Sequence, residues 1–264
     1  MYLLYSEERK NQIATFVQKQ SRASVQELSE HFGVSESTVR RDLKELEDEE
    51  MLRRTHGGAI ATETVNFEPT VLEKSDRLKE EKQAIAQAAL SYIDENDTIL
   101  LDSGTTTLQL VPGLKKFQSL TIVTNSVEIS EHLRDAPHLE VVVPGGKLRH
   151  ETQALVGPLT DQILKQLYVD KAFIGTNGVD LAHGLTTPNL IESATKRTML
   201  EQSKEVIVLS DHSKFGKVSF AAFGSIIDQV DVLITDDRVP QDLVEEMRNE
   251  GVNIDIATLQ GDPS

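Results

Sequence analysis

Cysteine is absent from this chain, which excludes disulfides, thiolate zinc sites and cysteine nucleophiles together. A reducing compartment fits that usage. Also missing is any apolar run near the ~18 residues that a membrane span requires. The apolar residues near Met1 are too few for the core of a signal peptide, so a soluble, cytoplasmic protein is expected. Positive charge is scarce: 27 Lys and Arg stand against 43 Asp and Glu, a formal net charge of −16. Generalised attraction to phosphate is therefore excluded, and any contact with nucleic acid has to come from a local arrangement. Residues 1–60 carry nine Lys/Arg against eleven Asp/Glu, a net of −2, so the remaining −14 lies downstream. No internal repeat or low-complexity tract appears, and 264 residues suffice for a small domain joined to a medium one.

The small domain is legible at residues 1–60. A helix is expected from after Ser6 to about Gln20, with Ile13, Phe16 and Val17 inward. Ser24-Val25-Gln26-Glu27 is a capping box that opens a second helix. Leu28 and Phe32 form its core side, and Gly33-Val34 turns the chain into a third helix capped by Ser35. On that third helix Val39, Leu43 and Leu46 share one side, while Ser37, Arg40, Arg41 and Lys44 project from the other. Thr38 stands beside them, and Arg54-Thr55-His56-Gly57-Gly58-Ala59 reads as a hairpin wing. Three short helices around one apolar knot, followed by a hairpin, make an N-terminal all-α winged helix-turn-helix. The competing reading is a charged, solvated face, to which Asp42, Glu45, Glu47, Asp48, Glu49 and Glu50 lend weight, with Arg41 occupied by Glu45 one turn on. The basic and hydroxyl residues nevertheless gather in the first half of the helix, where such motifs approach bases, so DNA binding is expected of Ser35, Ser37, Thr38, Arg40, Arg41, Lys44 and Arg54. His56 either touches a DNA phosphate from the wing or simply fits the hairpin.

Residues 61–77 show no sustained period and are expected to connect two domains. Over 78–260, apolar runs alternate with helical patterns: Thr98–Leu101, Leu120–Val123, Leu139–Val143, Ala172–Ile174, Val206–Leu209, Val232–Ile234 and Ile254–Ala257. That alternation marks an α/β domain with a largely parallel sheet. Ligands of such sheets sit beyond the carboxyl ends of the strands. There the sequence places Asp102-Ser103-Gly104-Thr105-Thr106-Thr107 before a helical pattern, then Thr124-Asn125-Ser126, Pro144-Gly145-Gly146-Lys147, Gly175-Thr176-Asn177-Gly178 and Asp211-His212-Ser213-Lys214. Backbone N–H groups at the Ser103–Thr107 helix start, with three hydroxyls and a glycine, suit a phosphate. Each loop alone is more often an ordinary strand-to-helix turn, but bland turn chemistry explains their recurrence at successive strand ends less well. Asp102 and Asp211 suit sugar hydroxyls. Lys214 either neutralises a phosphate or pairs with an aspartate. Glu192 and Lys196, four apart on a helix, are either site residues or a surface pair worth ~0.2–0.5 kcal/mol. The histidines show no metal-ligand spacing, and no metal or cofactor is expected. His212 reads as solvated or hydrogen-bonded.

With both halves read, the chain resembles the DeoR family of transcriptional regulators from about Glu7 to the last strand. The resemblance is carried by Ser37-Thr38-Val39-Arg40-Arg41-Asp42-Leu43, Arg54-Thr55-His56-Gly57-Gly58-Ala59, Asp102-Ser103-Gly104-Thr105-Thr106, Thr124-Asn125-Ser126, Gly145-Gly146, Phe173-Ile174-Gly175 and Asp211-His212-Ser213-Lys214-Phe215-Gly216. It implies a sensor domain similar to ribose-5-phosphate isomerase and CoA-transferase folds, with a phosphorylated sugar as ligand. Asp102, Ser103, Gly104, Thr105, Thr106, Thr107, Asn125, Gly145, Gly146, Lys147, Asn177, Gly178, Glu192, Lys196, Asp211 and Lys214 are the candidate effector residues. One departure is Glu50-Met51, where family members generally place a glycine at the end of the recognition helix. The expectation is a sugar-phosphate-responsive repressor of a carbohydrate-use operon, binding operator DNA as a dimer or higher homo-oligomer and catalysing nothing. Its rival is a sugar-phosphate isomerase or hydrolase with an accessory DNA-binding domain, for which Asp102, Asp180, Glu192, Lys196 and Asp211 supply acids and bases. A CoA-dependent transferase is weaker, since no nucleophile is assigned.

Overall fold

The computed structural model describes residues 6–20, 22–48, 51–61, 71–75 and 77–259. The chain divides into two compact units, Met1–Pro69 and Thr70–Ser264.

In the first unit, α1 (Ser6–Gln20) is followed by a strand, β1 (Arg22–Ser24), that periodicity did not reveal. Ser24 then caps α2 (Val25–Phe32): its hydroxyl accepts the Glu27 N–H at 3.1 Å, and Glu27 accepts the Ser24 N–H at 2.7 Å. Gly33 ends α2 in the left-handed region at φ 64°, a conformation glycine enters without a Cβ penalty. Next come α3 (Glu36–Asp48), β2 (Leu52–Thr55) and β3 (Gly58–Ala61). The wing is thus a three-stranded antiparallel sheet in the order β1-β3-β2. Ile13, Val17, Leu28, Val39, Leu43, Leu46 and Leu52 form one buried core beneath it.

The second unit opens with α4 (Val71–Ser75), which lies inside the stretch expected to be an irregular connection. Then follow α5 (Lys79–Ala89), β4 (Thr98–Leu101), α6 (Val111–Leu114), β5 (Thr121–Thr124), α7 (Val127–Leu133) and β6 (Glu140–Val142). A hairpin of β7 (Lys147–Arg149) and β8 (Ala154–Val156) leads into α8 (Pro158–Leu164) and β9 (Val169–Gly175). β10 (Gly178–Asp180) and β11 (Gly184–Thr187) precede α9 (Leu190–Glu201) and β12 (Ser203–Leu209). The chain continues through β13 (Ala221–Gly224), α10 (Ile226–Gln229), β14 (Val232–Asp236), α11 (Gln241–Asn249) and β15 (Ile254–Ala257).

Seven of these strands make one sheet in the order β15-β14-β12-β9-β4-β5-β6, every neighbouring pair parallel. They coincide with the seven apolar runs of the sequence. Both faces are covered: Ile99 and Leu101 join the core formed with α5, α6 and α7, whereas Leu100 joins the core formed with α8, α9 and α11. Burial on both faces explains why these strands read as continuous apolar runs rather than as alternating ones. Chain order proceeds outward from β4 to β6 on one side and from β9 to β15 on the other. The direction of winding therefore reverses between β4 and β9, and the loops there part to leave a crevice at the strand ends. A smaller antiparallel sheet, β10-β11-β13, sits beside that edge.

Candidate functional site

The helix-turn-helix surface follows from α3. Ser35 caps the helix by accepting the Thr38 N–H at 3.2 Å, and its hydroxyl also lies 2.8 Å from Ser37 Oγ and 2.9 Å from Thr38 Oγ1. Arg40, Arg41 and Lys44 are exposed. Arg40 pairs with Glu36 at 2.9 Å across one turn, a solvent-facing bond that adds little stability. Glu45 is not the partner of Arg41. It pairs with Lys10 of α1 at 3.2 Å, and Arg41 makes no ion pair among the described residues. Asp42 does not belong to the solvated acidic face either: it is fully buried and takes a two-pronged bond from Arg9 at 2.6 and 3.0 Å. Arg54 is tied to Glu47 through both its backbone N–H and its guanidinium, each at 2.9 Å, which fixes the wing to the end of α3. His56 is exposed at the wing tip. Met51 N–H bonds the Leu46 carbonyl at 2.9 Å and closes the helix end without a glycine; Glu50 lies outside the described residues.

In the second unit the sheet edge gathers one set of expected residues. Asp102 directly follows β4 and is completely buried, its Oδ2 accepting the Gly175 N–H at 3.0 Å from the end of β9. Lys196, reaching across from α9, bonds the same oxygen and the Gly175 carbonyl at 3.0 Å. Glu192 lies 3.9 Å from Lys196 and receives Arg149 of β7 on its other oxygen, with Thr152 Oγ1 at 3.3 Å. Glu192 and Lys196 are 3% and 2% exposed, so they are links of a buried ionic chain and not a surface pair. Burial pushes the Asp102 carboxyl above its ordinary range, which the Lys196 charge opposes. Ser103 N–H donates to Asn125 Oδ1 at 3.0 Å, locking the loops after β4 and β5 together. Asp102 Oδ1 and Ser103 Oγ are buried yet have no hydrogen-bond partner, an arrangement that native proteins rarely leave unfilled.

A second set stands at the end of β12, two strands along the same edge. Asp211 caps the following turn by accepting the Ser213 N–H at 3.0 Å. Burial alone raises its carboxyl, but the charges of Lys214 and Lys82, with the Ser213 bonds, hold it below the ordinary range. Lys82 of α5 was not anticipated. Its ammonium bonds the carbonyls of Lys74 and Arg77, clasping the end of α4. Burial lowers it to about 8; Asp211 opposes that shift, while Lys214, Lys74 and Arg77 add to it. At the other end of α4, Val71 N–H donates to the Glu151 carbonyl at 2.9 Å, on the hairpin that carries Arg149.

Other expected residues are held by the scaffold. The helical start at Ser103–Thr107 is a short 3-10 turn, Thr107–Leu110, running into four-residue α6. Pro112 has no N–H to continue a ladder and Gly113 packs closely on Leu90, so no long helix dipole points at this loop. Thr107 Oγ1 is spent on the Asp102 and Gly104 carbonyls at 2.7 and 2.9 Å. Thr105 is buried and Thr106 half-buried, while Gly104 has ordinary room for a Cβ. Gly145 and Gly146 adopt φ of 73° and 129° where the Gly145 carbonyl accepts Thr160 Oγ1 at 2.7 Å, and Lys147 beyond them is exposed. Asn177 faces Thr187 at 3.4 Å, and Gly178 is pressed on the Lys217 carbonyl. His212 bonds Asp236 through Nδ1 and its backbone N–H, both at 2.8 Å. Asp180 belongs to the β10–β11 turn, where it pairs with His183 at 2.8 Å. Arg149, Thr152 and Lys82 carried no local signal, since only the tertiary fold brings them to this edge.

Residues 9–65 match the DeoR-like helix-turn-helix domain and residues 77–237 match the DeoR C terminal sensor domain. The chain is 38% identical over 247 residues to the HTH-type transcriptional regulator GlpR of Haloferax volcanii, covering 94% of this chain and 96% of that one. It is 31% identical over 249 residues to the glycerol-3-phosphate regulon repressor of Escherichia coli, covering 94% and 98%. Among solved structures, a ribose-5-phosphate isomerase in complex with phospho-erythronic acid aligns at a TM-score of 0.39 and 19% identity, over 52% of this chain and 54% of that one. No helix among the described residues is long and apolar enough to cross a membrane.

Proposed function

Because the chain belongs to the DeoR family of DNA-binding transcriptional regulators, we propose that it represses a carbohydrate-use operon and is controlled by a phosphorylated sugar bound at the β4–β9–β12 edge. The observation that carries this reading is the polarity of that edge. At the β12 end, the charges of Lys214, Lys74 and Arg77 act on buried Lys82 with Asp211 as the opposing charge, a positive cluster that suits a phosphate. At the β4 end, buried Asp102 Oδ1 and Ser103 Oγ lack partners, which suits the hydroxyls of a polyol. A phosphosugar carries those two chemistries at its two ends. The name of the E. coli relative, a glycerol-3-phosphate regulon repressor, is in keeping with a phosphorylated effector.

The site is a sensor and not a catalyst in this reading, since Lys196, Asp102 and Glu192 are engaged with one another in a buried ionic chain. The effector alters operator affinity by favouring one arrangement of the DNA-binding units over another. A dimer or higher homo-oligomer supplies two recognition helices for repeated half-sites. A thermal-shift screen of phosphosugars beside their unphosphorylated parents tests the effector. A ligand at a hundred times its Kd should stabilise the fold by ~2.7 kcal/mol, and the parent sugars should do nothing. Equal shifts from sugar and phosphosugar would refute the phosphate assignment, and turnover of a phosphosugar would refute the sensor reading of the site.

A further inference from the structure

We infer that the Arg9–Asp42 pair, with Lys10–Glu45 beside it, sets the rotation of the recognition helix and so governs sequence discrimination on DNA. Asp42 lies between Arg41 and Leu43 in α3, fully buried, and Arg9 of α1 grips both of its oxygens at 2.6 and 3.0 Å. One residue further along α1, Lys10 reaches Glu45 at 3.2 Å, one turn beyond Asp42. Ile13, Ala14 and Val17 of α1 and Val39, Leu43 and Leu46 of α3 join one buried core, and the hydrophobic attraction that holds it is non-directional. A two-pronged guanidinium–carboxylate bond is directional.

A buried ion pair adds little net stability, because desolvation of both charges offsets their attraction, and apolar pairs of similar volume commonly replace one without loss. Retaining it here is therefore explained by geometry. Successive residues of a helix point ~100° apart, so a small rotation of α3 about its axis re-aims Arg41 and Lys44 together. Phosphate attraction survives such a turn, whereas bidentate contacts to base edges do not. The positive charges of Arg9 and Lys10 are consumed inside the domain, which assigns them positioning and not DNA contact.

The test uses the full chain and a duplex selected from a random library by the wild-type protein, with a scrambled duplex of the same composition as reference. Arg9→Met/Asp42→Leu should melt as the wild type does and bind the scrambled duplex with unchanged affinity and salt slope. Its preference for the selected duplex should fall about tenfold or more. Arg9→Lys, which keeps the charge and loses the fork, should show a smaller loss of the same preference and covers the case in which the double variant does not fold. A wild-type preference ratio in either folded variant overturns the inference. So does a parallel loss on both duplexes, which marks the pair as merely structural.

Discussion

Arg41 and Asp42 are adjacent in the sequence and opposite in role, and the difference lies in which side of α3 each occupies. Asp42 is consumed by Arg9 inside the domain, while Arg41 stays exposed and its supposed partner Glu45 is taken by Lys10. Arg41→Ala should therefore leave the melting curve unchanged and weaken operator binding. A lost base contact costs ~1–3 kcal/mol at the cognate site, while a lost phosphate contact lowers the salt slope by about one. Anisotropy titrations over a salt series separate the two, and wild-type affinity and slope would remove α3 from the groove. Lys82 makes a second prediction at this scale. A phosphate bound beside it favours the charged ammonium and raises it from about 8, so binding takes up a proton near that pH and weakens as pH climbs beyond it. Ligand-free stability has the opposite sign: between about 8 and the ordinary 10.5 the folded chain holds fewer protons than the unfolded one, so stability gains with pH across that window. Calorimetry in two buffers of different ionisation enthalpy reads the proton uptake, which Lys82→Met should abolish.

Among the elements, the wing shows why a two-glycine turn contains one replaceable glycine. β3 lies between β1 and β2, with Gly58 opposite Ser24. A Cβ on Gly58 would stand 2.0 Å from the Ala23 carbonyl oxygen, whereas one on Gly57 meets nothing within 4 Å. Gly58→Ala should cost ~1–3 kcal/mol through overpacking, and Gly57→Ala should stay within ~0.5 kcal/mol of wild type. Denaturant melts of the two variants check this, and equal midpoints would mean that β1 does not pack on the wing in solution. The strand β1 escaped the sequence because three residues between two helices carry no period, and its pairing partner is more than thirty residues away. The opposite failure occurred after β4, where a helix start was expected and Pro112 with Gly113 permits only short turns.

For the whole molecule, the proposed effector edge is tied to α4, the first helix of the second unit. Lys82 holds the carbonyl end of α4, and the hairpin bearing Arg149 holds its first N–H. A phosphosugar that draws on Lys82 competes for the bonds that clasp the end of α4. Operator affinity is expected to fall about tenfold at saturating effector, within the usual 1–3 kcal/mol of coupling, and effector affinity should fall by the same factor on operator-bound protein. Titrations in both directions check this. A factor of one would uncouple the edge from DNA binding.

The sequence by itself determined the parts that rest on local chemistry and on periodicity. Capping at Ser24 and Ser35, the turn at Gly33-Val34, the inward face of α3 and the seven apolar runs that became the parallel sheet depend on residues within a few positions of one another. Burial of that sheet on both faces is what made its strands visible. Strand-end loops were legible for the same reason, and with them Asp102, Asn125 and Asp211. The tertiary structure alone decided which charges meet. Lys196 reaches Asp102 across 94 residues, Arg149 reaches Glu192 across 43 and Arg9 reaches Asp42 across 33. An ionic side chain advertises no partner in its own neighbourhood, because the attraction that fixes it becomes strong only after folding has removed water from around both charges.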